Sequence, residues 1–163
     1  MTLEPLLDAP LAIKIHVAAV VPAAILGAYL LMRRKGSPVH RLLGKIWLAL
    51  MVITALSSFF IHALNMVYGF SPIHLLSIYV LIASWQAIAA ARRHDIARHR
   101  RTVTGLYFGG IGIAGFFTLI PGRIMGKVIF SGDEILPIVV VGAIAAFLVW
   151  VALTRKRAAR QLI

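Results

Sequence analysis

The chain contains five long apolar stretches, and their length decides what it can fold into. They cover residues 11–32, 42–64, 73–91, 103–120 and 136–153. Each is close to the roughly 20 residues that a helix needs to cross a bilayer. Hydrophobic residues make up 61% of the 163 positions, more than a soluble domain of this size could bury. The sequence therefore predicts an all-α integral membrane protein with five transmembrane helices.

The first apolar stretch is predicted to be a membrane helix and not a cleavable signal peptide. No basic segment precedes it, and it contains Lys14 and His16. No small-residue cleavage pattern follows it. The whole chain, residues 1–163, is thus expected to form a single membrane domain.

The basic residues lie mainly on one side of the predicted membrane helices. Fourteen of the 17 Lys and Arg residues follow the first, third or fifth stretch, whereas Lys14, Arg123 and Lys127 lie on the other side. The positive-inside rule then predicts an outside N-terminus and a cytoplasmic C-terminus. The net charge of +12 is explained as a topology signal with a weak attraction to anionic lipid, and a nucleic-acid partner is not expected. The chain has no cysteine, which excludes disulfides and thiolate metal sites.

A sparse pattern recurs at an offset of 58 or 59 residues. Ile15-His16 recurs as Ile73-His74, Arg33-Arg34 as Arg92-Arg93, and His40-Arg41 as His99-Arg100. Each copy is a helical hairpin, so the pattern predicts a four-helix up-down bundle of two repeats, about residues 11–64 and 73–120, plus an extra helix at about 136–153. Because each repeat crosses the membrane twice, the symmetry axis should follow the membrane normal.

This arrangement predicts two histidine pairs, each contributed by diagonally opposed helices. His16 would face His74 near the outer surface, and His40 would face His99 near the inner surface. The diagonal of such a bundle is roughly 11–14 Å, enough for a planar iron macrocycle between two imidazoles. Small residues accompany the histidines on the same helix faces: Ala19, Ala23 and Gly27 in the first helix, Gly44 in the second, Ser77 and Ser84 in the third, and several glycines in "GLYFGGIGIAG" of the fourth. These small residues favour cofactor binding and close helix packing about equally.

The order of these histidines resembles that of the di-haem transmembrane cytochromes b of the ascorbate-dependent ferrireductase type. The segments "IKIH", "HRLLGK", "IHLLS", "HRR" and "FTLIPGRI" also make the chain similar to a family of predicted bacterial membrane proteins of unknown function. The first resemblance implies one or two b haems, with His16 and His74 as axial iron ligands of the outer haem and His40 and His99 of the inner one. It also implies electron transfer, with a quinol or small reductant as a partner, although no ascorbate-binding motif is found. The second resemblance implies a bacterial membrane protein and no particular activity. We expect it in the inner membrane, in contact with lipid, as a homo-oligomer or part of a larger complex.

The cations near the histidine pairs could bind haem propionates. Arg41, Lys45, Arg100 and Arg101 lie near the inner pair, where the topology rule alone already explains basic residues. Arg123, in "TLIPGRI", lies where that rule does not require a cation. It could bind a propionate, a quinol oxygen or a lipid phosphate.

His62 has three alternative interpretations. It follows His40 by 22 residues, so it would return to a similar helix face about 33 Å away, near the outer pair. There it could accept a proton from a quinol, form a zinc site with His16 and His74, or simply face water. The overall alternative to a haem protein is a small transporter or an accessory subunit whose histidines are structural or relay protons.

Overall fold

The computed structural model describes residues 3–61, 72–118, 123–125 and 128. Over these residues the regular secondary structure is helical. The helices are α1 (Glu4–Leu7), α2 (Leu11–Met32), α3 (Pro38–Ser58), α4 (Pro72–Arg92), α5 (Ile96–Gly105) and α6 (Ile113–Thr118), with a π-helical segment at Leu106–Gly112 between the last two.

Within the described residues, three helices are long and apolar enough to cross a membrane, namely α2, α3 and α4 from Ile73 onward. Many of their large apolar side chains are exposed on the protein surface, among them Ile25, Leu42 and Leu75. Such exposure would be unfavourable in water and is expected where lipid covers the helix. The structure therefore agrees with the prediction of a helical membrane protein.

The predicted spans match the observed helices unevenly. The first span, 11–32, coincides with α2, and the third, 73–91, is α4 to within one residue at each end. The second was predicted at 42–64, but α3 begins at Pro38 and ends at Ser58. Its end was missed because Phe59, Phe60 and Ile61 continue the apolar composition, while their backbone amides already make the tighter bonds of a turn.

The fourth predicted span, 103–120, falls on a helix that runs without interruption from Ile96 through Thr118. Its centre is the π-helical segment, which includes Gly109, Gly110 and Gly112. The residues at both junctions, Gly105 and Ile113, keep right-handed helical dihedrals, so the π segment does not break the helix. The predicted fifth helix, 136–153, lies outside the described residues.

The two basic loops end in the same way. Gly36 has a φ of 87°, and Ser37 then caps α3 by accepting a hydrogen bond from the His40 amide. Fifty-eight residues later, His94 has a φ of 58°, and Asp95 caps α5 by accepting from the Arg98 amide. Pro38 starts α3, a position where its missing N–H costs no helical hydrogen bond. Each loop thus uses a left-handed residue and a polar cap to reverse the chain.

Residues 8–115 form one compact unit, in which the helices pack in a closed order. Helix α2 contacts α3, α3 contacts α4, α4 contacts α5 and the π segment, and the π segment contacts α2. A buried cluster occupies the interior: Ala23, Leu30, Trp47, Leu48, Met51, Ala55, Val80, Ala83, Ala87 and Leu106. Of the small residues predicted to share the histidine faces, those of α2 and α4 are buried, namely Ala19, Ala23, Gly27, Ser77 and Ser84. Gly44 of α3 is only half-buried, and Gly112 of the π segment is exposed.

Two aromatic side chains fix α2 against its neighbours. Trp47 Nε1 of α3 donates to the Ala23 carbonyl over 3.0 Å, and the Tyr107 hydroxyl of the π segment donates to the Ala24 carbonyl over 3.1 Å. Both rings lie against Gly27, where an added Cβ would approach them to 2.6 Å. Gly27 therefore allows the three segments to pack together at this level.

Residues 1–7 and 116–163 form a second unit. Its described part contains α1 and the end of α6, where the rings of Phe116 and Phe117 meet edge to face at 5.9 Å.

Candidate functional site

Two ends of the helical unit carry the predicted histidines. We call the end formed by the loops at residues 33–37 and 93–95 the basic end. The far end is formed by the start of α2, the end of α3 and the start of α4. His40 and His99 lie at the basic end, and His16 and His74 lie at the far end.

His40 and His99 both lie at the basic end. Both belong to the first turn of their helices, α3 and α5, and both are half-buried. They lie close enough for their charges to interact, and Lys35 also contributes to the field at His40. The two histidines thus lie at the same end of the unit, and their pairing across an iron stays a prediction.

The His99 ring is held in one tautomer by a backbone contact. Its Nδ1 lies 3.0 Å from the carbonyl oxygen of Ala87 in α4. A carbonyl oxygen can only accept, so Nδ1 carries the proton. In the neutral ring, Nε2 then keeps its lone pair and is available to a metal or to another donor.

His40 has a buried ring nitrogen without a partner. Its Nδ1 is inaccessible to solvent and makes no hydrogen bond in the structure. The backbone amide of the same residue, by contrast, is satisfied by the Ser37 cap. A buried polar atom without a partner costs about 1–3 kcal/mol, so a ligand that engaged this ring would relieve that cost.

The basic side chains around this pair are exposed and anchored only in part. Lys35 donates to the Leu31 carbonyl over 2.8 Å, and Arg41 donates to the Gly36 carbonyl over 3.4 Å. Lys45, Arg100 and Arg101 are exposed. These cations could meet anionic groups at the basic end without a change in the helices.

At the far end, His16 is hydrogen-bonded to α3. Its Nδ1 lies 3.1 Å from Ser57 Oγ, and that hydroxyl donates its single hydrogen to the Thr54 carbonyl over 3.0 Å. Ser57 Oγ must therefore accept, which puts the proton on His16 Nδ1 and leaves Nε2 with a lone pair in the neutral ring. His16 thus has the same tautomer as His99, selected here by a side chain.

His74 also lies against the end of α3. It is only 3% exposed, and its ring centroid lies 5.7 Å from that of Phe59. One turn further along α4, Ser77 Oγ is hydrogen-bonded to Ser58 Oγ of α3. His16 and His74 therefore approach the same end of α3 from its two neighbouring helices.

The interior between the two ends is closed by direct packing. Met51 and Leu106 are almost fully buried at its centre, together with the Trp47 and Tyr107 rings around Gly27. A Cβ at Gly110 would approach Met51 and Val80 to 3.2 Å. The buried glycines Gly27 and Gly110 thus serve close packing, and a flat cofactor would have to lie at the ends.

The remaining predicted residues fall outside this unit or outside the described residues. Arg123 belongs to the second unit and is half-buried there. His62, and with it the predicted proton acceptor and the three-histidine zinc site, lies outside the described residues. Among those that are described, no three His, Asp or Glu side chains cluster as a metal site would need. His94 is exposed in its loop, as expected.

Sequence reasoning missed several polar contacts that shape the two ends. Ser57 was not singled out, although it selects the His16 tautomer. The Ala87 carbonyl that holds His99 could not be found from side-chain types at all. The Thr54 and Ser84 hydroxyls are buried without a partner, a property that depends on the packing of neighbouring helices.

Comparison with known proteins places the chain in a family. No curated protein and no solved structure matches it. A protein family described as "Predicted membrane protein (DUF2306)" matches residues 13–157, which include all four histidines of the two predicted pairs. The chain therefore belongs to this family of predicted membrane proteins.

Proposed function

We propose that the chain is a b-type haem protein that transfers electrons within or across the membrane. The observation that carries this proposal is the pair at the basic end. There, His40 has a buried ring nitrogen without a partner, beside His99, whose ring is oriented by the Ala87 carbonyl. Metal-bound histidines commonly donate their second N–H to such a carbonyl.

The proposed scaffold is the four-helix bundle of two repeated hairpins, with a fifth transmembrane helix outside it. The order of helix contacts supports this scaffold. Helix α3 and the helix formed by α5 and the π segment each contact both α2 and α4, so α2 and α4 lie diagonally opposite each other. The matching loop structures at Gly36-Ser37 and His94-Asp95 support the repeat.

The ligand chemistry at the basic end fits a haem. His40 and His99 would be its axial ligands, and bound haem would supply a one-electron redox couple. Arg41, Lys45, Arg100 and Arg101 would neutralise the propionates. The hydrogen bond from His99 to Ala87 would keep the imidazole oriented and would exclude the other tautomer.

A second haem is proposed at the far end, between His16 and His74. The Ser57 hydroxyl supports this assignment, because it leaves His16 Nε2 free for a ligand bond. In this proposal Arg123 binds an anionic group and His62 accepts a proton from a quinol or small reductant outside the membrane. The protein would lie in a bacterial inner membrane, with the basic end in the cytoplasm, as a homo-oligomer or within a larger complex.

A structural role for the far-end histidines is the second candidate. The bonds His16–Ser57 and Ser58–Ser77 join α2 to α3 and α3 to α4. Polar bonds of this kind stabilise helix association in membranes without any cofactor. This candidate fits a small transporter or an accessory subunit, in which the same histidines could relay protons.

The optical spectra of single-histidine variants test the haem proposal. The protein is purified after expression with added haem precursor, and its reduced spectrum is recorded. We expect His40→Ala and His99→Ala to lose the same spectral component, because each removes one of two ligands to one iron. His16→Ala and His74→Ala should each lose the other spectral component.

His94→Asn is the matched control, because it removes a histidine from the same loop without touching the pair. Asn tolerates the left-handed dihedral of this position, so the loop should keep its shape. An unchanged spectrum is expected for this variant. An unchanged haem spectrum in His40→Ala would contradict the proposal. A wild-type protein without haem absorbance would contradict it as well.

A further inference from the structure

A surface depression lies on the outward side of α4 at the basic end. It has a volume of about 390 Å³ and is lined by Trp85, Ile88, Ala89, Arg92 and Arg93. Trp85 is 67% exposed and Ile88 is 41% exposed, although both are large and apolar. This side of α4 is therefore turned away from the histidines and from the packed interior.

The two ends of the depression differ in chemistry. Trp85 and Ile88 form an apolar floor, whereas Arg92 and Arg93 supply two guanidinium groups at the end of the helix. Trp85 precedes Arg92 by seven residues, which corresponds to about 10 Å along the helix. The charges thus lie at the level where the helix leaves the apolar core, and the indole lies at acyl-chain depth.

Neither guanidinium is paired with an acid within the described part of the chain. The nearby Asp95 carboxylate is engaged as the cap of α5, where it accepts from the Arg98 amide. By contrast, the equivalent Arg33 in the other basic loop stacks over the Tyr29 ring at 5.2 Å. Within the described residues, Arg92 and Arg93 thus have no carboxylate partner.

From this combination we infer that the depression binds one anionic phospholipid. An acyl chain lies along Trp85 and Ile88, and the phosphate accepts hydrogen bonds from Arg92 and Arg93. Charge complementarity selects this occupant, since a zwitterionic lipid gains less from two adjacent cations. The site is independent of the histidine pairs and stands whether or not haem is bound.

Quenching of Trp85 by brominated lipid tests the inference. The full chain is reconstituted in phosphatidylcholine vesicles that contain a fixed fraction of phosphatidylglycerol. Bromine is carried on the acyl chains either of the phosphatidylglycerol or of an equal mole fraction of phosphatidylcholine. The difference between the wild type and Trp85→Phe isolates the Trp85 emission from that of the other two tryptophans.

Each basic residue near the membrane surface adds roughly a fivefold preference for anionic lipid. We therefore expect brominated phosphatidylglycerol to quench Trp85 at least about threefold more effectively than brominated phosphatidylcholine does. The double variant R92Q/R93Q should reduce this ratio to one. The control R33Q/R34Q removes the same charge from the same end and should keep the ratio.

Equal quenching by the two lipids in the wild type would overturn the inference. A loss of preference that is the same in R33Q/R34Q would also overturn it, because the effect would then come from the overall charge of the basic end. Absence of quenching by either lipid would also overturn the inference, because it would show that protein, such as a second copy of the chain, covers Trp85.

Discussion

At the scale of single residues, Gly27 leaves less room for a side chain than any other described glycine. A methyl group there would lie 2.6 Å from both Trp47 Nε1 and Tyr107 Cδ2. Neither ring can withdraw easily, because each is held by a hydrogen bond to a carbonyl of α2. The space at this position is therefore fixed by three segments at once.

Gly27→Ala should destabilise the protein by about 1–3 kcal/mol, the usual cost of adding a methyl group to a packed interior. Reversible unfolding in detergent measures this change. Gly44→Ala is the control, because nothing lies within 4 Å of a Cβ at Gly44. That variant should be neutral or up to about 1 kcal/mol more stable, since alanine is the better helix former. Equal stability of the two variants would contradict the packing described at Gly27.

At the scale of helices, a pair of serines adds a polar bond to the apolar contact between α3 and α4. Ser58 and Ser77 share a hydrogen bond between the two helices, and both are buried. The next buried serine of α4, Ser84, has no partner for its hydroxyl. The same residue type therefore has two different energetic roles along one helix face.

A double-mutant cycle of Ser58→Ala and Ser77→Ala should give a coupling energy of about 0.5–1.5 kcal/mol, as found for hydrogen bonds between membrane helices. Detergent unfolding of the wild type and the three variants gives this value. Ser84→Ala should cost nothing or should stabilise, because it removes a buried hydroxyl that makes no bond. A coupling energy of zero would mean that the serine pair does not join the helices.

The ends of the helices could be predicted only where a local sequence signal marks them. The start of α3 carries local signals, because Ser37 and Pro38 are typical of the cap and first position of a helix. Its end at Ser58 carries none, since the apolar composition continues beyond it. The π-helical geometry of residues 106–112 could not be predicted either, because glycines also favour close packing in an ordinary α-helix.

At the scale of the whole molecule, the charge distribution predicts the orientation of the chain in the membrane. The basic end carries the loops that the positive-inside rule assigns to the cytoplasm. The natural absence of cysteine makes this prediction easy to test, because any introduced cysteine is the only thiol.

A membrane-impermeant maleimide should label Asp8→Cys in intact cells, because Asp8 precedes α2 at the far end. Arg98→Cys, in the first turn of α5 at the basic end, should be labelled only after the cells are made permeable. Both positions are exposed, so access is decided by the membrane alone. The reverse pattern would mean that the basic loops face outward.

The candidate site was predictable to the extent that it depends on helix order and histidine position. The recurrence of His40 as His99 predicted two residues at one end of the unit, and both lie at that end in the structure. The groups that orient the rings could not be predicted in this way. The Ala87 carbonyl and the Ser57 hydroxyl act through three-dimensional packing, which leaves no periodic trace in the sequence.

The central claim is that the histidine pair at the basic end holds a haem, and the haem content of the purified chain tests it most directly. The wild type, expressed with added haem precursor, should contain one to two haems per chain, with a Soret band and the sharp reduced bands of bis-histidine ligation. His40→Ala should contain one fewer. A wild-type protein that is folded, inserted in the membrane and free of haem would contradict the account.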